Sequence, residues 1–132
     1  MSELSAKAEA AYGAWNADDL EGWLATLHPE VRLHTSGLFF GLAEAYEGHD
    51  GAARYWRQIR EPFEWFRMEH DGLVERNDWA AVSLRFRARG RGSGAETDLV
   101  FAHAARFEDG LVIELWACPS YEEALAIAGL KA

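Results

Sequence analysis

Cysteine is almost absent from this chain: Cys118 stands alone, so no internal disulfide can form, and a reducing cytoplasmic setting is expected. No apolar run approaches the ~20 residues of a membrane-spanning helix. The opening residues, MSELSAKAEA, lack a basic region followed by an apolar run, so no signal peptide is expected. Positive charge is scarce: 13 Lys and Arg stand against 22 Asp and Glu, a formal net charge of −9. Such a surface repels phosphate backbones and anionic lipid, so neither nucleic acid nor a membrane is an expected partner. Of the charged residues lysine is the rarest, confined to Lys7 and Lys131. The five histidines never fall at HxxxH or HxH spacing, so no metal site is expected. The glycine-rich stretch Gly90 to Gly94 has no phosphate-loop spacing and no helix after it; it reads as a hairpin turn.

Aromatic residues are plentiful. Six Trp, 7 Phe and 4 Tyr in 132 residues exceed what a small core needs, which points to a lined cavity or a subunit interface. The length suits one domain, residues 1–132, with a sizeable hydrophobic core.

The clearest pattern runs from Trp79 to Trp116. Three strand-like segments (79–90, 95–108 and 111–116) are joined by RGSG and by Asp109-Gly110, a strong hairpin signal. Upstream, Leu4, Ala8, Ala11, Tyr12 and Trp15 form a helical stripe. Asp18 with Glu21 suggests a capping box, opening a short helix with Leu20, Trp23, Leu24 and Leu27 on one face. Val31 to Thr35 reads as a strand and Ser36 to Gly51 as a loop. A third helix carries Ala52, Tyr55, Trp56 and Ile59 and ends at Pro62; Glu64 to Glu75 reads as a further strand. Ser120 with Glu123 caps a closing helix that ends at Gly129. The fold class is therefore α+β, with helices packed on a strongly curved sheet.

That order, with the strings LHPEVRLHTSG (27–37), YEGHDGAARYW (46–56), RFRARGRGSG (85–94), FAHAARFEDGLV (101–112) and EEALAIAGL (122–130), resembles the SnoaL-like branch of the nuclear transport factor 2-like superfamily. The resemblance implies a cone-shaped, cystatin-like α+β barrel: a curved mixed sheet closed by three to four helices around a central pocket, usually as a homodimer. It also implies polyketide cyclase-like, isomerase, dehydratase or hydrolase chemistry by carboxylates or histidines in an apolar pocket, or binding without chemistry. In the cyclase and epoxide hydrolase branches an Asp points inward from the last strand. Aligned on Asp109-Gly110, that place falls at or near Ala117, and Pro119-Ser120 stands where a further Asp is common.

Strand alternation assigns the faces. Leu99, Phe101, His103, Ala105 and Phe107 form the more apolar set and should face the core, leaving Glu96, Asp98, Val100, Ala102, Ala104 and Arg106 outside. His103 is either a core histidine satisfied by a Tyr or a carbonyl, or a group that orients or deprotonates a substrate. On the last strand Leu111, Ile113, Leu115 and Ala117 should point inward. Trp116 and Cys118 should point outward, where they suggest a homodimer through the outer sheet face. Val82, Leu84, Phe86 and Ala88 alternate with Ser83, Arg85, Arg87 and Arg89. The arginines lie either in water or in the pocket, where they would bind an anion. By the resemblance, His34 and Tyr46 belong at the pocket mouth and the faces bearing Tyr12, Trp15, Trp23 and Trp56 line the cavity. His49 is a helix N-terminal residue or a ligand contact; His28 and His70 read as solvated.

These readings converge on a pocket for a small apolar organic molecule. An enzyme here would be cofactor-free, with His103 as general acid or base, assisted by His34 or Tyr46. Tyr12, Trp15, Trp56, Leu99, Phe101, Ile113 and Leu115 are the expected ligand contacts. A carrier or sensor of the same ligand is the alternative, and a protein-interaction module a third. An inward carboxylate beside His103 would favour catalysis, and a wholly apolar pocket would favour binding.

Overall fold

A computed structural model describes residues 3–35 and 42–130. Its elements follow the order α1 (Glu3–Asn16), α2 (Leu20–Leu24), β1 (Leu27–His34), β2 (Ala45–Glu47), α3 (Gly48–Arg60), β3 (Phe63–Arg76), β4 (Trp79–Gly90), β5 (Glu96–Glu108), β6 (Leu111–Cys118) and α4 (Tyr121–Ala128). The strands form one curved, unclosed sheet in the order β2-β1-β6-β5-β4-β3, antiparallel except where β1 meets β6. Part of the expected loop, residues 36–41, lies outside the described residues.

Local chemistry sets the boundaries. Asp19, one residue later than the expected cap, accepts from the Gly22 amide at 3.0 Å. A Cβ on Gly22 would stand 2.3 Å from that carboxylate, so a larger residue there would make the Asp19 side chain shift. Asp18 instead takes a positive φ of 56° and pairs with Arg60 at 3.0 Å. The Thr26 hydroxyl donates to the Trp23 carbonyl, and the Thr26 carbonyl accepts from the Val112 amide. Leu27, expected on α2, thereby becomes the first residue of β1. Three-residue β2 sits within the stretch read as loop, too short for any periodicity to show. Ser120 caps α4 as expected, accepting from the Glu123 amide at 3.2 Å. Asp109 and Gly110 both have positive φ, as a tight two-residue hairpin turn requires.

Val82, Leu84, Phe86, Phe101 and Phe107 are buried on the inner sheet face, against α1, α2 and α3. Trp15 is the hub of this core, with Trp56, Trp23, Phe66 and Tyr55 centred 4.1, 4.9, 5.8 and 6.0 Å from it. Asn16 ties α1 to edge strand β3: its side-chain amide donates to the Met68 carbonyl and accepts from the Met68 amide, at 2.8 and 2.7 Å. Such a contact completes a backbone pairing that an edge strand otherwise leaves open.

Two expectations about the outer face change. Ala81, Ala102 and Ala104 look out of place on a solvent face, but α4 covers them and packs Ala124 and Ala128 close against them. Cys118, expected at a subunit interface, is buried in this small second core at 1% exposure. Burial pushes its thiol up to about 11, which makes it a packing group and not a nucleophile. The arginines of β4 point into water: Arg85 forks onto Asp98 at 2.9 and 2.6 Å, and Arg87 binds Glu69. Neither reaches the interior, so neither can hold an anion there.

Candidate functional site

The curved sheet and the first three helices leave an apolar cavity of about 50 Å³. One wall is α1 with Ala8, Ala11, Tyr12 and Trp15; the other is the inner faces of β4, β5 and β6. Of the expected ligand contacts, Tyr12, Trp15, Phe101 and Leu115 line it, together with His103. Trp23, Tyr55, Ile59, Met68, Leu73, Val82 and Phe107 complete much of the lining. Their signal was burial periodicity, which does not separate a cavity wall from a solid core.

Other candidates lie elsewhere. His34 is on the outer sheet face, stacked on Trp116 at 4.6 Å and 9°, with its Nε2 3.2 Å from Glu114. Tyr46 is fully buried, but its hydroxyl binds Gln58 and accepts from the Ala43 amide, outside the cavity lining. Trp56 stacks behind Trp15 and Trp23, and Leu99 lies beyond the lining. Ile113 is turned away by a β-bulge. Phe107 pairs with Val112 and Arg106 with Glu114, so Ile113 is the unpaired extra residue and Val112 takes the inward place. Ile113 lines an outer depression with Arg32, Glu47, Arg106 and Glu114. Burial opposes the Glu114 charge there, but hydrogen bonds from Arg106 and His34 hold its carboxyl below the usual range. The other histidines are accounted for locally. His49 Nε2 lies 3.0 Å from the Leu27 carbonyl, and His70 is half-buried with its ring 5.6 Å from that of Tyr12. His28 is largely covered beside Glu108, at 3.4 Å.

The chemistry within the cavity rests on one pair. Tyr12 Oη and His103 Nδ1 lie 2.8 Å apart, both side chains buried, with ring planes 21° apart. The Phe101 ring and the imidazole meet edge to face, their centroids 5.3 Å apart. His103 makes no other hydrogen bond among the described residues, so its Nε2 is available to a guest. Burial pushes the imidazole down to about 3 and the Tyr12 phenol above its ordinary range, so both are neutral at physiological pH. A neutral pair can present either polarity. With the phenol donating to Nδ1, Nε2–H is a donor; in the other tautomer Nε2 is an acceptor.

Among the described residues no carboxylate lines the cavity. Ala117, at or near which the resemblance implied an inward Asp, is paired across the sheet with His103 and is 3% exposed. One group of potential metal ligands exists among the described residues: His28, Glu108 and Asp109, with ligand atoms within 4.8 Å of one another and none in the cavity lining. Among the described residues no helix is long and apolar enough to cross a membrane.

Comparison with known proteins agrees with this architecture. The model of the SnoaL-like domain matches residues 8–115. No curated protein sequence matches the chain closely. Among solved structures, an NTF2-like protein of unknown function from Burkholderia pseudomallei K96243 is 25% identical. It aligns over 97% of this chain and 98% of its own, with a TM-score of 0.81. TerC, co-crystallised with polyporic acid, is 21% identical over 88% of this chain and 90% of its own (TM-score 0.79). A Mycobacterium tuberculosis protein in complex with estradiol-17beta-hemisuccinate is 15% identical over 89% and 93% of the two chains (TM-score 0.74). With its model matched from α1 to β6 and the curved sheet shared with these structures, the chain belongs to the SnoaL-like domain family.

Proposed function

We propose that this protein binds a small, largely apolar organic molecule in the cavity, with the Tyr12–His103 pair as its polar anchor. The observation that carries this reading is the available Nε2 of His103 in a mostly apolar wall. Two structural relatives crystallised with small organic molecules, polyporic acid and estradiol-17beta-hemisuccinate, support it. The cavity of about 50 Å³ is well below the ~150 Å³ that holds benzene in an engineered apolar site, so a guest of that size requires its walls to move apart.

Binding fits this pocket better than acid–base turnover. A general base works best with a pKa near the operating pH, and an imidazole held at about 3 is a weak one. The carboxylate that would raise it is absent from the lining. Catalysis is the second reading, favoured by the same available Nε2.

Titration with phenol and with cyclohexanone, followed by NMR, tests both. Shifts should centre on Tyr12, His103 and Phe101, and His103→Leu should weaken binding ~2–10-fold, the worth of one hydrogen bond. Chelation should change nothing. Shifts elsewhere, or none, overturn the binding reading; His103-dependent exchange of the ketone's α-hydrogens for deuterium would establish the catalytic one.

We propose also that the chain is a homodimer through the outer sheet face. With Cys118 covered, the support is Val100 at 65% and Trp65 at 48% exposure, together with half-buried Trp116. Sedimentation should give a dimer at micromolar concentration that Val100→Glu dissociates; a wild-type monomer refutes it.

A further inference from the structure

We propose that the pocket selects amphiphiles bearing a single anionic group, a carboxylate, held at its mouth by Lys7 while the apolar body lies inside. The proposal rests on the binding reading above and names the class of ligand.

Lys7 is the one charged side chain among the described residues that line the cavity. It stands five residues before Tyr12 on α1, about 7.5 Å along the helix axis, so one helix carries both the inner anchor and a cation nearer its start. The side chain reaches from α1 to the β5–β6 turn, where Nζ lies 3.2 Å from the place a Cβ on Gly110 would occupy. Gly110 has a φ of +77°, so the turn itself selects glycine, and the missing side chain leaves room for the ammonium group. Ala8, Ala11, Phe107 and Val112 line the same cavity and are apolar. A cation over an apolar cone fits a carboxylate on an apolar tail.

Nothing else claims that charge strongly. Among the described residues the only acid within ion-pair distance is Glu3, at 4.0 Å and with its side chain 81% exposed, a contact worth little in water. Lys7 makes no hydrogen bond to another described side chain. The surroundings limit the ligand's charge to one. Glu108 and Asp109 precede Gly110 on the same turn, Glu108 beside His28, and the whole chain carries −9. A second negative charge on the ligand would meet repulsion that one lysine cannot offset.

Hexanoate, 1-hexanol and hexylamine share one apolar tail and differ in head-group charge. Titrated by NMR at low ionic strength, hexanoate should bind wild type roughly fivefold more tightly than hexanol, and hexylamine most weakly. High salt should erase the preference. Lys7→Met keeps the apolar stem and should lose the preference for hexanoate over hexanol. Equal affinity for hexanoate and hexanol in wild type overturns the selectivity while leaving the binding reading intact, as does a preference that survives Lys7→Met. If none of the three perturbs the residues lining the cavity, the binding reading falls and this inference with it.

Discussion

In His103→Leu, stability should fall far less than in wild type as the pH drops from 6.5 to 4.5. Burial lowers the folded-state value of this imidazole to about 3, against an ordinary value of 6.5. Below pH 6.5 the unfolded chain therefore binds a proton at this position that the folded chain refuses. The contribution is complete above pH 6.5 and is lost progressively as the pH falls toward 3. A difference of one bound proton between the two states changes stability by ~1.4 kcal/mol for each pH step of one, so the fall to 4.5 should remove ~2–3 kcal/mol from wild type. Stopping at 4.5 matters. Glu47 and Glu69 are held below their ordinary 4.5 by hydrogen bonds from Arg32 and Arg87, and Asp98 below 3.8 by Arg85, so their contributions are lost mainly at lower pH, with the same sign. Urea unfolding of both proteins across the window gives the comparison. Leucine leaves the Tyr12 hydroxyl without its partner and lowers stability at every pH, so the difference in slope is the diagnostic quantity. Parallel profiles would show that His103 takes up a proton in the folded state at ordinary pH, which would restore it as a competent general base.

Trp15→Ala should destabilise the protein by ~3–5 kcal/mol. The indole is 5% exposed and meets four other aromatic rings, so truncation removes a large apolar surface and leaves the rings of Trp23, Tyr55, Trp56 and Phe66 facing a void. These rings sit on α2, α3 and β3, whose backbones cannot all close on one gap. Because Trp15 also lines the cavity, that void should open into it. Added indole should then raise the melting temperature of the variant and leave wild type unchanged. A loss under ~1 kcal/mol would mean that the cluster collapses onto the gap, and the absence of indole rescue would mean that void and cavity are separate.

Side-chain orientation on the long strands was readable in advance because a β-strand has a strict period of two. Leu84, Phe86, Phe101, His103 and Phe107 fall on the buried face for that reason. For Arg85 and Arg87 the sequence left water and pocket both open, and it is the pairing with Asp98 and Glu69 that holds them outside. The cap at Ser120 and the turn at Asp109-Gly110 follow from local chemistry spanning a few residues. Ile113 marks where such reasoning fails. One unpaired residue reverses the faces on the β5 side of a strand that otherwise alternates, and a bulge depends on the partner strand. The partner decided His34 too, since its register beside Trp116 puts it on the outer face.

The sequence by itself determined the α+β class, the main strands and most of the buried faces, because periodicity, capping and turn chemistry act between near neighbours in the chain. Only the tertiary structure decided which buried residues line a cavity and which fill a core. It alone joined Tyr12 to His103 across 91 positions, laid α4 over Ala102 and Ala104, and brought Lys7 to Gly110. These are contacts between distant segments, set by how the helices seat on the sheet, and no local pattern encodes the distance between them.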